Sequence, residues 1–319
     1  MIILIVLFAL SLICPIYTYA LYPIFLRMMM EKDYKCSDAA YAVTVIVVGN
    51  NADDKIKSVE RCSYPLYEVV VGNYSDADKA KGEIVVFTDT KTELDLHAIK
   101  EIVKPFSDAR IGAVIGQQTN PEGNSAFWRY ENLIKKLESR MGCVSGANEG
   151  LFAVRRSDVP IIPRRVLNKP FYIATKIANA GKAVVFQESA KAYEGKTDGT
   201  NFKKHVEDAA GYWQALRLFS KMLLPSHGSF VYISHRVMKW FVWLDMVLML
   251  VTSGLMAVKG SFIMAVVFGI QIIGYVMIVA LAKTNIGGPA GKLINILFYF
   301  LMLNAAYFAG LFKMQRSNE

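Results

Sequence analysis

The first charged residue of the chain is Arg27, and residues 1–26 carry no charge at all. A run of that length crosses a hydrocarbon core of ~30 Å at ~1.5 Å of helical rise per residue. A cleaved export signal would show a basic start and a shorter apolar core of about 7–15 residues, so the run reads as a retained anchor. Three more such runs close the chain. Residues 240–258 hold one charge, Asp245, while residues 260–282 and 293–312 hold none. These lengths predict four membrane spans, with the last three joined by short connections.

Charge sets the expected orientation. Nothing basic precedes the first span, whereas Arg27, Lys32 and Lys35 follow it, so the amino end is expected outside. The middle of the chain is then cytoplasmic, and Arg236 and Lys239 mark its exit on the same side. By parity the tail emerges outside, although Lys313 and Arg316 lie there. The expected address is a cell (inner) membrane, multi-pass. The expected domains are an anchor over residues 1–30, a cytoplasmic domain over 31–235 and a bundle of three helices over 236–319. Asp245 is expected at the cytoplasmic interface, near Lys239 and Arg236, because an ionisable group deep in lipid is costly.

The net charge of +9 fits this membrane bias. No basic stretch is interleaved with stacking aromatics, so nucleic acid is not an expected partner; the lipid bilayer is. Cys14, Cys36, Cys62 and Cys143 form no C-x-x-C pair and read as reduced thiols rather than metal ligands.

Between the membrane runs, residues 42–48, 67–71, 83–88 and 111–115 read as buried strands. Residues 95–105 and 126–140 carry helical periodicity, which predicts an α/β domain with a mostly parallel sheet covered on both faces. In such sheets ligands bind beyond the carboxyl ends of the strands. The third strand ends at Asp89, followed by Thr90 and Lys91. A carboxylate there suits Mg²⁺ or Mn²⁺ against a diphosphate.

Several segments together resemble family 2 glycosyltransferases of the membrane polysaccharide-synthase kind. The apolar strand over 43–48 followed by Asn50 or Asn51 is similar to the family's opening strand, and residues 82–89 to the strand bearing its D-x-D metal motif. Trp128, Arg129, Tyr130 and Glu131 match its W-x-Y-E helix, and residues 146–156, with Gly146, Asn148 and Glu149, the segment lining the acceptor side. Residues 234–240 resemble its membrane-entry segment. The resemblance implies a nucleotide-diphospho-sugar transferase fold plus transmembrane helices. It also implies a nucleotide-sugar ligand, with Asp76, Asp89 and Lys91 on the donor diphosphate and Trp128, Glu131, Gly146, Asn148 and Glu149 toward the acceptor.

The same resemblance exposes four departures. After the second strand only Ser75 and Asp76 match the nucleotide-holding turn, and the chain reaches the third strand early. At the metal motif Asp89 is present, but Lys91 stands where a second carboxylate or an amide is implied. Residues 167–174, where the acidic base is implied, contain no carboxylate. Near the implied Arg motif stand His205, Glu207 and Asp208, which are left as weak catalytic candidates. The leading expectation is a degenerate transferase acting as scaffold or regulatory partner of another membrane or envelope protein in polysaccharide or glycoconjugate assembly. The alternative is an active inverting transferase using a nucleotide-diphosphate donor and a membrane-associated acceptor, with no certain cofactor and Mg²⁺ or Mn²⁺ if active. A transporter is disfavoured because the spans hold so few ionisable groups.

Overall fold

The computed structural model describes residues 1–119, 126–194, 201–224, 227–284 and 286–317, with backbone alone at residues 126, 127, 227 and 315–317. These residues divide into two compact units.

The first unit is a mixed seven-stranded sheet with helices on both faces. Its strands are β1 (Val43–Val48), β2 (Glu68–Gly72), β3 (Ile84–Asp89), β4 (Thr92–Leu94), β5 (Ile111–Thr119), β6 (Phe152–Arg155) and β7 (Ala183–Glu194). They lie side by side in the order β2-β1-β3-β6-β5-β7-β4. β1 pairs with β2 and β3 in parallel, and β5 with β7 in parallel. β6 runs antiparallel to both β3 and β5, and β4 antiparallel to β7. The expectation of a mostly parallel sheet is therefore corrected to a mixed one. The chain enters β6 beside the carboxyl half of β3, where Phe152 faces Phe87, so it has to run backward. Four residues with no alternation gave no sequence signal for that strand.

Side-chain alternation explains the two buried faces. Val43, Val45, Val47, Ile84 and Val86 point to one layer, while Ile46, Val85 and Phe87 point to the other. Two helices, α2 (Asp53–Glu60) and α3 (Ala98–Val103), cover the first layer through Val59, Ile99 and Ile102. On the second layer lies α5 (Lys169–Asn179), through Ile173 and Ile177. Between them in sequence comes α4 (Ala126–Ser139), the amphipathic helix expected from its pattern.

Among the described residues four helices are long and apolar enough to cross a membrane: α1 (Ile2–Met28), α7 (Gly228–Val258), α8 (Phe262–Ala282) and α9, whose apolar part is Gly288–Met314. Pro15 lies inside α1 and is followed by a π-turn over Tyr17–Leu21, as expected where a missing N–H and a ring clash disturb the i→i−4 ladder. The second unit gathers most of these helices together with α6 (Phe202–Leu218), which the sequence reading had placed in the central domain. α6 lies along α9. The Trp213 indole donates to the Tyr307 carbonyl at 2.8 Å, and a Cβ on Gly310 would meet that of Ala209 at 2.6 Å, so the two backbones touch through small residues. Asp245 lies in α7, among the apolar residues of that helix.

Candidate functional site

The site is built from the carboxyl ends of three strands. Val48 at the end of β1 lies between Gly72 of β2 and Asp89 of β3, so the last residues of all three are level. Beyond β1 the chain turns through two left-handed residues, Gly49 at φ 132° and Asn51 at φ 56°. Gly49 passes so near the neighbouring turn that a Cβ would sit 3.0 Å from the Thr90 hydroxyl, which a larger residue would push aside.

Asp89 opens that neighbouring turn and is bound into it. Its Oδ1 accepts from the Lys91 amide at 3.0 Å and the Thr92 amide at 2.7 Å, the usual behaviour of an aspartate that shapes its own turn. Lys55 reaches the same place from α2, its ammonium donating to the Thr92 carbonyl. Ala52, Lys55 and Val59 recur at helical spacing and are all buried, Lys55 being only 5% exposed. Burial pushes the Lys55 ammonium down to about 8, with the Asp89 carboxylate the strongest influence in the other direction. Lys91 lies exposed on the turn.

Behind this turn stands the loop between α4 and β6. Thr88 donates its hydroxyl to the Gly150 carbonyl at 2.8 Å, tying β3 to the loop. The fully buried Glu138 of α4 accepts from the Ser145 amide at 2.9 Å and from its hydroxyl at 3.0 Å, fixing the start of the loop. Gly146, at φ 90°, lies against the Phe171 ring, with room for no side chain. Among the described residues, the Asn148 amide nitrogen, the Thr92 hydroxyl and the Gln117 side-chain oxygen are buried without hydrogen-bond partners. Tyr74 stacks on Phe152 and packs on Phe87, and burial, Glu149 and Asp89 together raise its hydroxyl well above the ordinary tyrosine range. Tyr74 also forms one wall of an open cleft of about 400 Å³, whose opposite wall is Arg156 and residues 159–162.

The other sequence candidates have different surroundings. Asp76 caps the short 3₁₀ turn Tyr74–Asp78, its carboxylate accepting from Lys79 Nζ and from the Asn73 amide, each at 2.8 Å. Those bonds, with Lys79 first, hold it below the usual carboxylate range. Trp128 is half-buried with Lys135 Nζ 6.0 Å from its ring centre, and Glu131 is buried on the same helix. At the start of α5, Asn168 caps the helix by accepting from the Phe171 amide at 3.1 Å. His205, Glu207 and Asp208 all lie on α6 in the unit of apolar helices, where His205 packs edge-on to Tyr299 and Glu207 binds Lys313 at 2.7 Å. Sequence reasoning missed Lys55, Tyr74 and Glu138. The helical spacing of Ala52, Lys55 and Val59 was the available signal for the first.

These residues do not fit a divalent metal. Such an ion takes several oxygen ligands, yet one Asp89 oxygen is held by backbone amides and a buried ammonium is bound to the same turn at Thr92. Among the described residues no three His, Cys, Asp or Glu side chains gather in a metal-binding group.

No family model and no curated protein matches the sequence. Among solved structures, the chain is similar to the mannosyltransferase PcManGT from Pyrobaculum calidifontis in complex with GDP-Man and Mn2+, with a TM-score of 0.72 and 16% identity over 98% of this chain and 100% of that one. Fainter likenesses are to GalNAc-T7 with UDP, GalNAc and Mn2+ (TM-score 0.36, 12% identity, 61% of this chain and 50% of that one) and to glucosyl-3-phosphoglycerate synthase from Mycobacterium tuberculosis with phosphoglyceric acid (TM-score 0.39, 16% identity, 56% and 79%). The chain has the GT-A-type fold of nucleotide-sugar glycosyltransferases, carried together with four candidate membrane helices.

Proposed function

We propose that this protein is a membrane-bound pseudoglycosyltransferase, which keeps the transferase fold and has lost or much reduced nucleotide-sugar turnover. One observation carries this reading: at the start of α5, where the resemblance implies an acidic base, stand Asn168, Lys169 and Pro170, and the Asn168 side chain is occupied as the helix cap. A general base contributes about 10²–10⁴ in rate, or ~3–5 kcal/mol of barrier at 1.36 kcal/mol per decade. Its role is then that of a scaffold or regulatory partner for another membrane protein in envelope polysaccharide or glycoconjugate assembly, with residues 31–235 on the cytoplasmic side of the inner membrane.

A second reading is an active inverting transferase that moves a sugar from a nucleotide diphosphate to a membrane-associated acceptor. It is favoured by the likeness of fold, over 98% of this chain, to a mannosyltransferase. An in-cell comparison at equal protein abundance separates the two. The scaffold predicts that Asp89→Ala leaves the phenotype intact while deletion of the whole chain does not. Damage by Asp89→Ala equal to that of deletion would overturn it.

A further inference from the structure

The Lys55 side chain is the unexpected occupant of the strand end. A lysine on the buried stripe of an otherwise acidic first turn, after Asp53 and Asp54, is costly to bury unless its ammonium has a purpose there. Its position answers what that is. Lys55 binds the Thr92 carbonyl while Asp89 binds the Thr92 and Lys91 amides, so two side chains of opposite charge clamp one turn. Gly49 brings the β1 exit over Thr90 and leaves the clamp little room to open.

We propose that Lys55 is a resident cation, whose buried ammonium, anchored at Thr92 on the turn that Asp89 shapes, disfavours a divalent metal at this strand end. Two consequences follow from charge alone. A second cation brought to this turn meets the field of the ammonium, and Asp89 Oδ1 is already held by two backbone amides. Lys91 on the turn is therefore a lesser barrier than Lys55. Restoring a carboxylate at position 91 does not by itself restore a metal site.

The inference deepens the pseudoenzyme reading but is tested apart from it, by Mn²⁺ binding rather than turnover. The full chain in detergent is titrated with Mn²⁺ by calorimetry and by loss of the free-ion paramagnetic resonance signal. Four proteins are compared: wild type, Lys91→Asp, Lys55→Met, and the double variant. Wild type and Lys91→Asp should show no binding up to ~1 mM, and the double variant a Kd below ~100 µM, a gain of at least about tenfold. Circular dichroism melting checks each fold, and Lys55→Gln with Lys91→Asp replaces the double variant should the methionine not be accommodated. Binding by wild type below ~1 mM, binding by Lys91→Asp as tight as by the double variant, or no binding by a folded double variant would each overturn the proposal. Mn²⁺ binding by wild type without turnover sinks the resident cation and spares the pseudoenzyme. Metal-free sugar transfer does the reverse.

Discussion

Replacing Lys55 with methionine removes a buried charge while keeping the length of the side chain. In the folded protein the ammonium is pushed from its ordinary 10.5 to about 8, chiefly by burial. The unfolded chain holds its proton up to the ordinary value, so between those limits it binds more protons than the folded one. Stability therefore rises with pH across that window, by about 1.4 kcal/mol per unit. From pH 7.0 to 9.5 roughly 1.5 units of the window are crossed, which amounts to ~2 kcal/mol in favour of the folded wild type. The methionine variant lacks this dependence. It also loses the bond to the Thr92 carbonyl, at a cost of ~1–3 kcal/mol, so its stability at neutral pH is a near balance. The change in the difference between the two proteins is the sharper quantity. Thermal melting of both in detergent at pH 7.0 and 9.5 reads it, with wild type gaining ~4–8 °C on the variant at the higher pH, taking ~2–4 °C per kcal/mol for a unit of this size. A gap between the two proteins that stays within ~1 °C across that range would refute a depressed, buried ammonium.

Gly146→Ala forces a left-handed backbone and sets a methyl group 2.4 Å from the Phe171 ring, so a loss of ~2–4 kcal/mol and a Tm fall of roughly 5–10 °C are expected. Glu207→Gln breaks an exposed pair with Lys313 and should cost less than ~1 kcal/mol, read as a Tm change under ~3 °C. Protease added to intact cells should leave residues 35–235 uncut, and cleavage there without permeabilisation would reverse the proposed orientation.

The sequence by itself determined where the chain is apolar and with what period. Residues 1–26 without a charge read as a long apolar helix, and the short β-branched runs at 43–48 and 84–87 as strands buried on both faces. It also placed Asp89 at a strand end, because the apolar run stops there. Hydropathy and periodicity are local properties, legible over a few turns or a few residues. What they do not encode is which distant group meets which. Only the tertiary structure decided that the Asp89 oxygen is held by its own turn and that Lys55 reaches the same turn at the Thr92 carbonyl, 37 residues away. Only the tertiary structure set β6 running backward between β3 and β5, because strand direction follows from where the preceding loop delivers the chain. The same holds for α6, whose Trp213 finds its partner 94 residues later at Tyr307 and so carries His205, Glu207 and Asp208 into the unit of apolar helices. Burial is written in the composition of a segment, whereas the partner of a buried charge is fixed by contacts that exist only once the chain has closed on itself.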